Sequence, residues 1–220
     1  MTFDWENNWD VFLEAFLVTL QIVGTTLLIG GVVGLVLGTL LYATRRGGVL
    51  ANRWLFGFLN VLTNFVRPIP FIIFLTVMGP VTIGIVGTRI GTEAFIVPAS
   101  IMASFATGRI VEQNLVALDP GLIEAARAMG ASPWRIIRTV VIPEALGPLI
   151  LGYTFIFIAI VDMSALAGMI SGGGLGAFAL TYGYQRFDWW LTVITVIVIV
   201  ILVQSVQFFG NWLARKVMRR

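Results

Sequence analysis

"EAARAMGASPWRIIRTVVIP", Glu124 to Pro143, is a charged, breaker-marked stretch inside a chain that otherwise reads as membrane. Asp119-Pro120 supplies a helix N-cap followed by proline at the first helical position, and Ser132-Pro133 repeats the pair thirteen residues later. The spacing predicts two short helices. Gly130 between them supplies the backbone freedom of the turn, and Pro143 is expected to end the second helix where an apolar run begins. Ala125, Ala126 and Ala128 beside Met129 make the first helix small enough to lie close to a partner backbone. Glu124 and Arg127, at i and i+3, can pair with each other, and Arg127, Arg135 and Arg138 can face anionic lipid. A stiff, capped unit between two apolar runs is also suited to passing a displacement to both at once.

The runs on either side are long. The chain is 58% hydrophobic and 11% charged, with mean hydropathy +0.96, where soluble domains carry about 25% charged residues. Charge-free windows predict an all-α integral membrane fold, a single domain over 1–220 with five transmembrane helices at about 15–42, 54–78, 93–109, 144–168 and 189–212. Arg67-Pro68-Ile69-Pro70 interrupts the second with two residues that lack a backbone donor, so a kink or break is expected there. The third is short and should borrow from its flanks. The N-terminus is acidic and leads into an overlong apolar run, unlike a cleavable signal, so the first span is expected to be retained. Gly30, Gly34 and Gly38 place three side-chain-free positions on one face of that span, and static packing against a close neighbour is the reading adopted.

Five spans put the termini on opposite sides. With the N-terminus outside and the C-terminus cytoplasmic, the inner segments hold Arg45, Arg46, Arg53, Arg109, Arg127, Arg135, Arg138, Arg215, Lys216, Arg219 and Arg220, eleven of the fourteen basic residues. The outer segments hold Arg89 and Arg186 beside Asp4, Glu6, Asp10, Glu14, Glu93 and Asp188. Segment 119–143 is therefore expected on the cytoplasmic face. Trp5, Trp9, Trp189, Trp190 and Trp212 fall at predicted span ends and read as interfacial anchors. Neither cysteine nor histidine occurs, which excludes disulfides, thiol nucleophiles, Cys/His metal sites and the usual general base. The arginines sit beside apolar spans, which speaks for membrane topology and against a nucleic-acid partner.

The spacing Glu124-Ala125-Ala126, three residues, Gly130, nine residues, then Val140-Val141-Ile142-Pro143 resembles the EAA loop of ABC importer permeases. That resemblance implies short coupling helices that seat in a separate ATPase, with Glu124, Ala125, Ala126, Arg127, Met129, Gly130, Ala131 and Trp134 as the coupling residues. "RPIPFIIFL" (67–75), "VGTRIGTEAFIVP" (86–98), "SALAGMISGGGLG" (164–176) and "YGYQRF" (182–187) are similar to the methionine-uptake subfamily of these permeases. It implies a multi-pass subunit of the bacterial inner membrane, for methionine or a related amino acid. The implied assembly is a homodimer with two ABC ATPase subunits, which bind ATP and Mg, and an extracytoplasmic substrate-binding protein, expected to be a lipoprotein. No cofactor is expected on this chain itself. "SGGGLG" lacks the Gly-Lys-Ser/Thr that a phosphate loop needs, so the chain is expected to be a transport subunit and not an enzyme; its glycines serve a tight turn or a gate.

For the translocation pathway the candidates are Arg67, Asp162, Met163, Ser164 and Met169, with Tyr182 and Tyr184 as further thioether contacts or as interfacial packing. Asp162 is an acid at predicted membrane depth. It departs from the family pattern, which has an uncharged residue there. Three roles stay open for it: binding a substrate amino group, pairing with Arg67, or lying in an outer vestibule without a specific role. A second function keeps Asp162 as the ion site of a secondary transporter. The absence of visible internal repeats weighs against that one.

Overall fold

A computed structural model describes residues 5–218, with side chains from Trp9 onward; Asp4, Glu6, Arg219, Arg220 and the Trp5 anchor lie outside what it describes. The described chain is all helix. Its first element, α1, runs Trp5–Thr44, longer at both ends than the expected 15–42. Helix α5, Thr92–Val116, lies along it. The glycine face explains how closely. A Cβ built on Gly30 would stand 2.7 Å from Ala103 Cβ, one on Gly34 would strike Thr107, and one on Gly38 would strike Val111 and the Gly108 carbonyl. The pairs 30 with 103, 34 with 107 and 38 with 111 ascend together, so α1 and α5 are parallel. Because they are parallel, the chain between them has to return through the thickness of the bundle.

That return is the broken second span. Helix α2, Arg53–Val66, starts on an Asn52 cap whose side chain accepts from the N–H groups of Trp54 and Leu55. It ends at Arg67-Pro68-Ile69-Pro70, and α3, Phe71–Val77, leaves at 108° to it. Pro68 and Pro70 cannot donate to the carbonyls of Asn64 and Val66; the Val66 carbonyl accepts from Ile69 N–H at 3.2 Å instead. The expected 54–78 helix is thus two pieces, followed by α4, Gly79–Val86, which stops on Gly87 at φ +78.

Beyond α5 come α6, Pro120–Ala128, and α7, Pro133–Ile136. Pro143 does not end the second of these, as the sequence suggested. The chain passes from α7 through a π turn, Ile137–Val141, directly into α8, Ile142–Ser164. The wide turn is closed by Ile142 N–H on the Ile137 carbonyl, and it lets Pro143 sit in the first turn of α8, where no donor is required. The fourth span therefore starts at Pro133, eleven residues before the expected 144, and closes with a 3-10 turn, Ala165–Ile170. A short α9, Gly174–Phe178, and a π turn, Ala179–Tyr184, lead to α10, Trp189–Met218.

Side chains orient the rest. Tyr153 of α8 donates its hydroxyl to the Gly31 carbonyl at 2.7 Å, and Val23 packs with Ile156 and Ile160, so α8 is antiparallel to α1. Gly210 of α10 meets Thr154, and Gly147 meets Met218, so α10 is antiparallel to α8. Helices α1, α5 and α10 run one way and α8 the other. The glycine-rich turn is locked at the N-terminal end of α1: Leu175 N–H donates to Thr19 Oγ1 at 2.8 Å, and Thr92 Oγ1 to the Gly172 carbonyl at 3.0 Å. Gly173 at φ +70 and Gly174 at φ +88 make that turn possible.

Candidate functional site

At the opposite end of the bundle, α6 and α7 form a projecting tip. Asp119 Oδ1 accepts from Gly121 N–H at 2.9 Å and starts α6. Gly130, at φ +77, ends it: Gly130 N–H bonds the Arg127 carbonyl at 2.9 Å and Ala131 N–H the Ala126 carbonyl at 3.1 Å, the paired bonds of a Schellman cap. Ser132 makes no side-chain capping bond; extended backbone and Pro133 suffice to start α7. The small surface anticipated for α6 divides. Ala126 is 3% exposed, in a cluster with Tyr42, Val111, Leu115, Ile136 and Val141, whereas Ala125, Ala128 and Glu124 stay exposed.

The cluster seats the tip rigidly on the ends of α1, α5 and α8, while its outer side is bare. Met129 is 80% exposed and Trp134 62%, with Ala131 half-buried between them. Two large apolar side chains thus stand bare beside a fixed backbone turn. Glu124 and Arg127 form no ion pair; Arg127 Nη2 donates to the Gly47 carbonyl at 3.3 Å, which ties α6 to the loop after α1. The tip is thus tied to the end of α1 through Arg127 and Ala126, and to α8 through the continuous helix.

The candidates at membrane depth are only partly brought together. Met163 packs against the cluster of Val66, Phe74 and Met102 that lines the break in the second span. Arg67, in that break, and Asp162, beside Met163, are both exposed and make no ion pair with each other. Ser164 is buried, its hydroxyl donating to the Val161 carbonyl at 2.7 Å, a bond internal to α8. Met169 is exposed on the 3-10 turn. Tyr182 stacks on Phe178 under the Arg186 guanidinium, 4.6 Å from its ring, and Tyr184 is exposed. Trp9, Trp189, Trp190 and Trp212 are exposed near the ends of α1 and α10, and Lys216 lies over the Trp212 ring.

One polar cluster went unread in the sequence. Arg109 Nη1 lies 2.6 Å from Glu112 Oε2 within α5, and 3.4 Å from Asn60 Oδ1 on α2; Asn64 Nδ2 donates to the same Asn60 oxygen at 3.2 Å. A charge-free window ended the third span at Arg109. The helix continues to Val116, so these charges lie inside it. The signal available was the i, i+3 spacing of Arg109 and Glu112.

Residues 30–219 match the family model described as "Binding-protein-dependent transport system inner membrane component". The chain is 40% identical to the "Probable D-methionine transport system permease protein MetI" of Vibrio cholerae, over 97% of this chain and 95% of that one. It is 47% identical to the D-methionine transport system permease protein MetI of Escherichia coli K12, over 63% of this chain and 64% of the relative. Among solved structures it resembles a chain of the MetNI methionine ABC transporter in inward-facing conformations, with TM-score 0.92 and 40% identity over 96% of this chain and 98% of that one. A chain of an amino acid ABC transporter solved with histidines shares the fold, at TM-score 0.80 and 19% identity.

Proposed function

The chain belongs to the family of binding-protein-dependent transport system inner membrane components, and from its likeness to MetI permeases and to a chain of the MetNI methionine ABC transporter we infer that it is the permease subunit of an ATP-driven importer for methionine. It is a multi-pass protein of the inner membrane and a transport subunit, not an enzyme. Its partners are an ATPase and a substrate-binding protein. The finer reading is that two copies form the pathway, two ATPase subunits bind ATP and Mg, and the binding protein is an extracytoplasmic lipoprotein. In that reading the N-terminus is outside and the α6–α7 tip cytoplasmic, in keeping with the basic residues gathered at the tip end. Segment 119–143 couples hydrolysis to alternating access, and Arg67, Asp162 and Met163 line the pathway at the broken span. The MetI relatives and the MetNI structure lend no support to an ion-coupled carrier built on Asp162.

The observation that carries coupling is the tip itself: Met129 and Trp134 bare on the outside, Ala126 anchored inside, and α7 continuous with α8. An ATPase that closes on Met129 and Trp134 moves α8 as a lever. The test is uptake and ATP hydrolysis in proteoliposomes holding the chain with its ATPase and binding protein. Trp134→Ala and Met129→Asp leave the core untouched, and each is expected to lower uptake per ATP or release the ATPase. Uptake that follows an ion gradient without ATP and is lost in Asp162→Asn would overturn the reading.

A further inference from the structure

Helix α2 carries three faces at its roughly 100° per residue. Thr63 and Val66 are buried. Trp54, Phe58, Val61 and Phe65 form an exposed apolar stripe, fit for hydrocarbon or a second copy. Asn60 and Asn64 lie on a third face, roughly a third of a turn from that stripe. This third face, neither buried in the bundle nor apolar, meets Arg109 of α5. The level is six residues inside the end of α1: the Gly108 carbonyl faces Gly38, and Thr44 ends that helix.

The Arg109 side chain is 27% exposed and Glu112 only 9%. Both of the guanidinium's hydrogen bonds, to Glu112 and to Asn60, leave from Nη1; among the described residues Nη2 and Nε donate to no protein atom. Asn60 Nδ2 and Asn64 Oδ1 are likewise open. A guanidinium at this depth with two of three nitrogens uncommitted cannot face lipid tails, because each unmet donor costs too much in hydrocarbon. Its open nitrogens call for water or a polar ligand.

We propose that Arg109, Asn60 and Asn64 form a transit site for the zwitterionic end of the transported amino acid. Arg109 Nη2 and Nε receive the carboxylate, with Asn60 Nδ2 beside them, and Asn64 Oδ1 accepts from the ammonium group. Glu112 is a positioning residue: it holds Nη1 and so turns the rest of the fork outward. The site rests on the amino-acid importer reading, and it serves the inner half of the pathway in the orientation given above.

The chain has no cysteine, so one introduced thiol on it reports accessibility. The full transporter, its partner subunits freed of reactive cysteines, is put in nanodiscs with Asn64→Cys, and with Phe65→Cys on the apolar stripe as control. A charged methanethiosulfonate reagent is expected to label Cys at 64 but not at 65. Methionine should slow that labelling and methioninamide, which lacks the carboxylate, should not. Protection, taken as the ratio of each variant's own labelling rates with and without methionine, should be lost in Arg109→Gln and kept in part in Arg109→Lys. Failure of the charged reagent to label position 64, no protection by methionine, or equal protection in Arg109→Gln overturns the site. Asn60→Cys replaces Asn64→Cys if that variant does not assemble. ATP-driven uptake by the wild type is measured alongside, so loss of the site leaves the importer reading standing, and loss of uptake counts against the importer reading itself.

Discussion

Replacing Gly34 by alanine inserts one methyl group where α1 and α5 touch. An ideal Cβ there stands 2.8 Å from Thr107 Cγ2 and 2.9 Å from the Ser104 carbonyl oxygen, and it also strikes Thr107 Cβ. Carbon–carbon contacts relax near about 3.5–4.0 Å, so the helices have to part by roughly 1 Å. Thr107 cannot swing away, since it is fully buried, and the Ser104 oxygen is backbone. Overpacking of this kind costs about 1–3 kcal/mol. The same exchange at Gly24, where nothing lies within 4 Å of the new Cβ, keeps only the benefit of removing a helical glycine, about 0.5–1 kcal/mol. Both exchanges share that benefit, so the two variants should differ by the overpacking cost alone, about 1–3 kcal/mol, with Gly34→Ala the less stable. SDS titration in mixed micelles, followed by circular dichroism, reads the difference. If Gly34→Ala proves as stable as Gly24→Ala, the close approach of α1 and α5 is wrong.

Three further exchanges probe the other joints. Thr19→Val leaves the buried Leu175 N–H without its acceptor, and the same titration should show a loss of about 1–3 kcal/mol, mostly recovered in Thr19→Ser. Tyr153→Phe removes the bond to the Gly31 carbonyl and should cost about 1 kcal/mol; no change in midpoint would mean that the bond is exchanged for another partner. Gly130→Ala forces a side chain into φ +77, a strain of about 1–2 kcal/mol, and uptake per ATP hydrolysed in proteoliposomes should fall while the membrane-embedded helices keep their stability.

Much of this architecture was legible because its causes are local. The charge-free runs became α1 and α10, Asp119 and Gly130 became the start and the stop of α6, and the proline pair became the 108° break. Gly30, Gly34 and Gly38 announced a close neighbour, though not that the neighbour would be α5 in parallel register. Which helix answers a small-residue face depends on contacts some seventy residues away, and periodicity carries no such information. Pro143 was misread for a related reason. Proline forbids a donor at its own nitrogen, but a π turn upstream removes the need for one, and that turn is a property of five residues together.

The Arg109 cluster shows where charge counting fails in principle. A window test ends a span at its first charge because an isolated charge in hydrocarbon is expensive. Arg109 and Glu112 are not isolated: one helical turn apart, they neutralise each other, and the backbone of α5 runs on unbroken to Val116. A pathway for a zwitterion requires polar groups at depth, and the fold can keep them there only if they are paired or wet. The residues that truncate a predicted span are therefore the ones to inspect first for transport. In this chain the same scrutiny falls on Arg67 at the break and on Asp162 beside Met163, both exposed.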